Sequence, residues 1–128
     1  RKIIGRAETK GVPLHLPVDH AVVRELKEEA DPETARDIPE GWMGVDIGPQ
    51  TQKLFAEQMA RAKTIFWNGP MGIYEFEKFA GGTYSVARSM AEAKAITIVG
   101  GGDSASAVAK AGLADKMTHI STGGGASL

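Results

Sequence analysis

The chain has 128 residues, which fits one globular domain. A formal net charge of −1 excludes a broad basic surface for nucleic acid, and no apolar run approaches the ~20 residues that span a bilayer. The absence of cysteine excludes disulfides and thiolate metal sites and favours a reducing, cytoplasmic location.

The first forty residues predict a helix end, one strand and a polar loop. Residues 1–10 are expected to close a helix. Alternation of apolar and polar residues predicts a strand over 12–23, although apolar residues within 22–30 also recur at helical spacing. Residues 31–41 are polar, contain two prolines and predict a surface loop.

The middle of the chain alternates helix and strand signals. Gly48-Pro49 suits a helix start, because proline needs no N–H in the first turn. Apolar residues recur at helical spacing over 51–62, which predicts an amphipathic helix. The β-branched and aromatic residues of 63–68 predict a strand, and the glycines and proline of 69–72 predict a turn.

The last third continues this alternation. Residues 73–79 are irregular, and a second amphipathic helix is expected over 81–93. A strand over 96–99, a helix over 104–112 and a strand near 117–120 complete the pattern. Short connections between alternating strands and helices predict an α/β fold, a three-layer Rossmann-like parallel sheet with helices on both faces.

Glycine-rich turns follow three of the predicted strands. In parallel sheets, ligands bind at the carboxyl ends of the strands. We therefore expect 68–72, 100–103 and 123–125 to gather on one rim of the sheet.

The turn Gly100–Gly102, followed by Asp103 and Ser104, predicts an anion site. Glycines let a ligand approach the backbone, and the N–H groups at a helix start favour phosphate. A carboxylate repels a bare phosphate, so Asp103 makes sense if Mg²⁺ lies between them. Alternatively, Asp103 only caps its own helix. No Gly-Lys-Ser/Thr follows, so the pattern is not a P-loop.

Three other features have both a functional and a structural interpretation. Gly123, Gly124 and Gly125 form a second candidate anion cradle or a flexible chain end. Asn68 either binds a ligand or holds its own turn. Glu75 either accepts hydrogen bonds from ribose hydroxyls or is a solvated surface residue.

The histidines, His15, His20 and His119, show no metal-ligand spacing and are interpreted as structural. From the residues alone, the sequence predicts an α/β domain that binds a nucleotide or phosphate with Mg²⁺. The alternative is a regulatory or scaffold domain whose glycines only make tight turns.

Several motifs together resemble one family. They are LPVD (16–19), GWMGVDIGP (41–49), WNGPMGIYE (67–75), GGGDSAS (100–106) and STGGGASL (121–128). In this order, and over nearly the whole chain, they resemble the carboxyl-terminal, nucleotide-binding domain of phosphoglycerate kinase.

The resemblance implies a glycolytic phosphotransferase. The family transfers a phosphoryl group from 1,3-bisphosphoglycerate to ADP, which gives 3-phosphoglycerate and ATP, with Mg²⁺. Its two domains close over the substrates, and the parent enzyme is expected to be a monomer that binds neither nucleic acid nor membrane.

The resemblance also implies roles for particular residues. Glu75 would bond the nucleotide ribose, and Val45, smaller than the usual leucine, would contact the base. Asp103 would hold the Mg-nucleotide. The other residues expected at the nucleotide are Asn68, Pro70, Gly101, Gly102 and Ser104. Gly123, Gly124 and Gly125 would donate N–H groups to the phosphoryl group in transfer.

The sequence is expected to be a fragment, because it lacks an initiator methionine and the family's triose-binding domain and phosphate-binding lysines. Residues 1–128 would then form one partial nucleotide-binding domain. We expect the chain alone to lack kinase activity. The alternative is a non-catalytic nucleotide-binding or purely structural fragment.

Overall fold

Residues 2–121, which this computed structural model describes, form two three-stranded sheets, one antiparallel and one parallel. The helices are α1 (Lys2–Lys10), α2 (Pro49–Arg61), α3 (Gly81–Glu92) and α4 (Gly102–Lys110), with short 3-10 helices at Glu77–Phe79 and Ala114–Lys116. The four predicted helices are confirmed to within about two residues at most ends. Among residues 2–121, no helix has the length and apolarity needed to cross a membrane.

The antiparallel sheet comprises β1 (His20–Val23), β2 (Glu33–Ala35) and β3 (Met43–Ile47), in the order β2-β1-β3. The predicted strand over 12–23 is therefore wrong for most of its length, since only its last four residues pair. Two prolines lie in the unpaired part and cannot donate to a sheet. The predicted loop over 31–41 is wrong at β2, which pairs along β1.

The first predicted strand also does not join the parallel sheet. The connections from β1 to β2 and from β2 to β3 contain no helix. β1 pairs antiparallel with both β2 and β3, and neither connection has the helical crossover that joins neighbouring parallel strands. The single continuous parallel sheet expected from the sequence is thus two separate sheets within the described residues.

The parallel sheet comprises β4 (Thr64–Asn68), β5 (Ile96–Gly100) and β6 (His119–Ser121), in chain order. Helix α3 connects β4 to β5, and α4 connects β5 to β6. This is the βαβ arrangement that the alternation predicted, so the α/β fold class is confirmed.

The main core lies between one face of the parallel sheet and the helices. Trp67 and Val99 point from the sheet into a cluster with Met90 of α3 and Val108 of α4. A second, smaller core contains Val23, Val45 and Phe79 and links the antiparallel sheet to the segment before α3. The smaller core therefore attaches β3 to the rest of the molecule.

The other face of the parallel sheet carries exposed apolar side chains. Phe66 is 40% exposed and Ile96 is 53% exposed. Within the described residues, β4 pairs only with β5, so its other edge has unpaired backbone groups. An exposed apolar face beside an unpaired strand edge is typical of a surface that contacts another polypeptide segment.

Candidate functional site

The carboxyl ends of the three parallel strands are level with one another. Asn68 pairs with Gly100, and Gly100 pairs with Ser121. The N–H of Gly101 also donates to the Ser121 carbonyl at 3.1 Å. The expectation that 68–72 and 100–103 share one rim is confirmed. The candidate cradle Gly123–Gly125 lies outside the described residues.

The glycine turn after β5 requires glycine at its centre. Gly101 has a φ of +94°, and a Cβ there would lie 2.9 Å from the Asn68 side-chain oxygen. Helix α4 begins at the next residue, and its N-cap, Gly101, makes no side-chain capping bond. A Cβ at Gly102 would meet no atom within 4 Å. At Gly102 the first turn of α4 is therefore open to a ligand as far as residues 2–121 are concerned, as an anion site requires.

Asp103 presents an exposed carboxylate in the first turn of α4. Within residues 2–121, its one side-chain hydrogen bond is long, 3.5 Å from the hydroxyl of Tyr74, so this part of the chain leaves the carboxylate able to take a further ligand. Residues 2–121 hold no group of three or more histidines and carboxylates that could bind a metal by themselves. A single carboxylate fits Mg²⁺ held mainly by phosphates and water, so Asp103 fits that cation.

Ser104 is fully buried, and its hydroxyl accepts the Gly69 N–H at 2.6 Å. The Gly69 carbonyl in turn accepts the indole N–H of Trp67 at 2.6 Å. These bonds fix the start of the segment 69–75, which we call the rim loop, against α4. Contact between Ser104 and phosphates stays a prediction, since its hydroxyl already has a partner within the protein.

The rim loop has two further anchors. The Met71 N–H donates to the hydroxyl of Thr83 at 3.1 Å, and the Ile73 N–H donates to the Val45 carbonyl at 2.9 Å. The loop is thus bonded to α4, α3 and β3. A loop fixed in this way offers a preformed surface to a ligand.

The other predicted nucleotide residues occupy different environments. Asn68 is exposed at the rim, Glu75 is exposed in the rim loop, and Pro70 is half-buried. The Val45 side chain is 2% exposed and packs in the second core. Its predicted contact with a base stays a prediction, whereas its carbonyl already holds the rim loop.

Sequence reasoning missed two carboxylates that hold helix starts. Asp46 accepts the Gly82 N–H of α3 at 2.7 Å. Asp19 accepts N–H bonds from Gln50 at 3.0 Å and Thr51 at 2.8 Å in α2. The only signal for Asp19 was its place in the LPVD motif, and for Asp46 its place in GWMGVDIGP.

The two carboxylates differ in pKa. Burial raises the pKa of Asp46, and hydrogen bonds from Gly82 and Ile47 offset this only in part. Burial also acts to raise the pKa of Asp19, but hydrogen bonds from Thr51 and Gln50 outweigh it and lower that pKa. Asp19 thus has more hydrogen bonds to its charged form than Asp46 has, and the charge of His20 adds to the lowering of its pKa.

Comparison with known proteins decides the family. The sequence profile of phosphoglycerate kinase matches residues 1–128. The chain belongs to the phosphoglycerate kinase family. It is 56% identical to the phosphoglycerate kinase of Clostridium tetani, over all of this chain and 32% of that protein. It is 57% identical to the Clostridium perfringens enzyme, again over all of this chain and 32% of that protein.

Solved structures agree with this assignment. The chain resembles phosphoglycerate kinase from Coxiella burnetii with a TM-score of 0.93 and 41% identity, over 98% of this chain and 33% of that one. The enzyme from Pyrococcus horikoshii gives a TM-score of 0.73 at 32% identity, over 98% of this chain and 35% of that one. The chain spans about a third of the length of the curated relatives it matches.

Proposed function

We propose that the chain is a partial nucleotide-binding domain of a phosphoglycerate kinase and binds Mg-ADP or Mg-ATP at the rim. One observation carries this proposal: the bonded rim loop lies beside the open first turn of α4, where Asp103 presents a nearly free carboxylate. Membership of the family gives the ligand class.

The proposed roles follow from this arrangement. Backbone N–H groups at the start of α4 face the nucleotide phosphates, and Asp103 binds the Mg²⁺ that neutralises their charge. The exposed carboxylate of Glu75 accepts hydrogen bonds from ribose hydroxyls, and Asn68 and Pro70 line the same site. Gly123–Gly125, outside the described residues, would face the phosphoryl group in transfer.

The parent protein would transfer a phosphoryl group between 1,3-bisphosphoglycerate and ADP, a step of glycolysis in the cytoplasm. The chain matches about a third of its relatives' length, so we propose that the triose site is formed by other residues of the parent. The chain alone would then bind nucleotide without transferring a phosphoryl group, because transfer needs both substrates positioned together. A purely structural role is the alternative.

Calorimetric titration of the folded chain with Mg-ADP tests the proposal. We expect saturable binding that weakens when Mg²⁺ is chelated. Asp103→Ala should remove most of the difference between Mg-ADP and free ADP, and Glu75→Gln should weaken both. Asp115→Ala is the control, since Asp115 is an exposed carboxylate in the distant 3-10 helix Ala114–Lys116.

Three results would overturn the proposal or part of it. A folded chain that gives no heat at millimolar Mg-ADP leaves only the structural role. An unchanged affinity in Asp103→Ala and Glu75→Gln removes these residue assignments. Turnover by the chain alone in a coupled assay contradicts the expected lack of activity.

A further inference from the structure

Asp46 lies on β3 but serves the start of another element, helix α3. One carboxylate oxygen accepts the Gly82 N–H at 2.7 Å, and the other accepts the Ile47 N–H at 2.8 Å. Helix α3 has no side-chain capping bond at its N-cap, Ala80, and no acidic residue in its first turn. Asp46 therefore supplies the negative capping group that the helix lacks in its own sequence.

The rim-loop backbone also lies close to the same carboxylate. A Cβ on Gly72 would lie 2.7 Å from an Asp46 carboxylate oxygen and would also clash with the Val45 carbonyl. A Cβ on Gly82 would clash with Asp46 as well. Glycine at both positions thus lets the loop backbone and the helix start close on one carboxylate.

The bonds around Asp46 form a short chain from β3 to the rim. Asp46 holds the first turn of α3, where Thr83 accepts the Met71 N–H of the rim loop. The preceding residue, Val45, accepts the Ile73 N–H two residues further along that loop. A shift of the α3 start would therefore move the hydroxyl that holds Met71.

We propose that Asp46 is a positioning residue, which fixes the start of α3 and with it the shape of the rim loop at the nucleotide site. The effect on nucleotide affinity rests on the proposed function. The effect on the loop does not, since it follows from the bonds within the protein.

Asp19 is a matched control within the same chain. It also caps a helix start from a distant segment, through its bonds to Gln50 and Thr51 of α2. Within the described residues, its other hydrogen bonds are to Thr51 and to Gly48, which lies between β3 and α2. None of them reaches the rim loop. Loss of either carboxylate should destabilise the protein, but only loss of Asp46 should loosen the loop.

The test compares Asp46→Ala with Asp19→Ala by residue-resolved amide hydrogen exchange. In Asp46→Ala we expect the Met71, Ile73 and Gly82 amides to exchange about tenfold faster than in the unsubstituted chain. In Asp19→Ala, compared at an equal loss of global stability, the exchange rates of these three amides should rise no more than those of other core amides. Mg-ADP affinity should fall about tenfold in Asp46→Ala and less than threefold in Asp19→Ala.

Equal loosening of the loop in both variants, or none in Asp46→Ala, overturns the proposal. If either alanine variant does not fold, Asp46→Val and Asp19→Val, which also remove both accepting oxygens, replace the pair and are judged by the same comparison. Absence of Mg-ADP binding by the unsubstituted chain would overturn the proposed function, while the exchange rates would still decide the role of Asp46.

Discussion

The hydroxyl of Ser104 accepts the backbone N–H of Gly69 at 2.6 Å, although 35 residues separate them in sequence. This bond joins the first turn of α4 to the rim loop inside the protein, since Ser104 has no exposed surface. The two glycine-rich motifs of the rim are therefore one bonded unit, so a change in either one is expected to affect the other.

Removal of this hydroxyl should destabilise the protein. Ser104→Ala leaves the Gly69 N–H without its acceptor in a part-buried position, which typically costs about 1–3 kcal/mol. Urea unfolding should show this loss, and calorimetry should show weaker Mg-ADP binding. Ser106→Ala, at an exposed position of the same helix, should change neither; equal effects in both variants would contradict the prediction.

Thr51→Val should be destabilising by a similar amount, about 1–3 kcal/mol. The Thr51 hydroxyl donates to a carboxylate oxygen of Asp19 at 2.6 Å and accepts the backbone N–H groups of Val18 and Asp19. Valine keeps the shape but removes the acceptor of the Val18 and Asp19 N–H groups, while the Asp19 carboxylate keeps its bond from the Thr51 N–H. The measurement is the free energy of unfolding in urea, with Thr34→Val at an exposed position of β2 as the control.

Gly82→Ala should also lower stability, by a steric mechanism. The added Cβ would clash with Asp46 and come within 2.5 Å of the Ile47 side chain, so β3 and α3 would have to separate. Gly5→Ala is the control, because a Cβ there meets nothing within 4 Å and alanine favours a helix interior. Thermal unfolding should show a lower midpoint for the first variant and an unchanged or higher one for the second.

Asp19 and Asp46 should contribute opposite pH dependences of stability. The lowered pKa of Asp19 means that its contribution is present above the ordinary value of 3.8 and is lost as pH falls through the folded pKa. The raised pKa of Asp46 means that stability falls as pH rises from 3.8 through its folded pKa.

Urea unfolding at a series of pH values, for the unsubstituted chain and each asparagine variant, separates the two contributions. The free energy of unfolding of the unsubstituted chain minus that of Asp19→Asn should rise with pH in the acid range and then level off. The corresponding difference for Asp46→Asn should fall as pH rises above 3.8. Slopes of the same sign for both pairs would contradict these assignments.

The uncovered face of the parallel sheet should cause self-association. Phe66 lies on β4, whose outer edge has no partner strand among the described residues, and apolar edges of this kind pair with other chains. Phe66→Lys should reduce the concentration-dependent increase in mass seen by sedimentation. Ile3→Lys, at an exposed position of α1, is the control. A parent chain that stays monomeric at every concentration would refute this prediction.

The sequence was informative where one local pattern decides the structure. Helical periodicity located α2 and α3, and the glycine turn after β5 located the start of α4, because helices and turns depend on near neighbours. The common rim also followed from local signals, since parallel strands present their carboxyl ends at one edge.

The antiparallel sheet and the remote caps could not be derived in this way. Strand β2 lies in a polar segment and forms because β1 offers it a partner, which no local pattern reveals. The bonds of Ser104 to Gly69 and of Asp46 to Gly82 join residues more than thirty positions apart. Side-chain roles that depend on such distant contacts require the folded structure.

The two remote carboxylates also constrain the order of folding. Asp19 lies 32 residues before Thr51, and Asp46 lies 36 residues before Gly82, so each helix cap closes a long loop. Neither α2 nor α3 has an acidic residue in its own first turn. We therefore expect these two helices to gain their N-terminal caps only once β3 and the residue preceding β1 have reached their places, so that the antiparallel sheet contributes to the completion of α2 and α3.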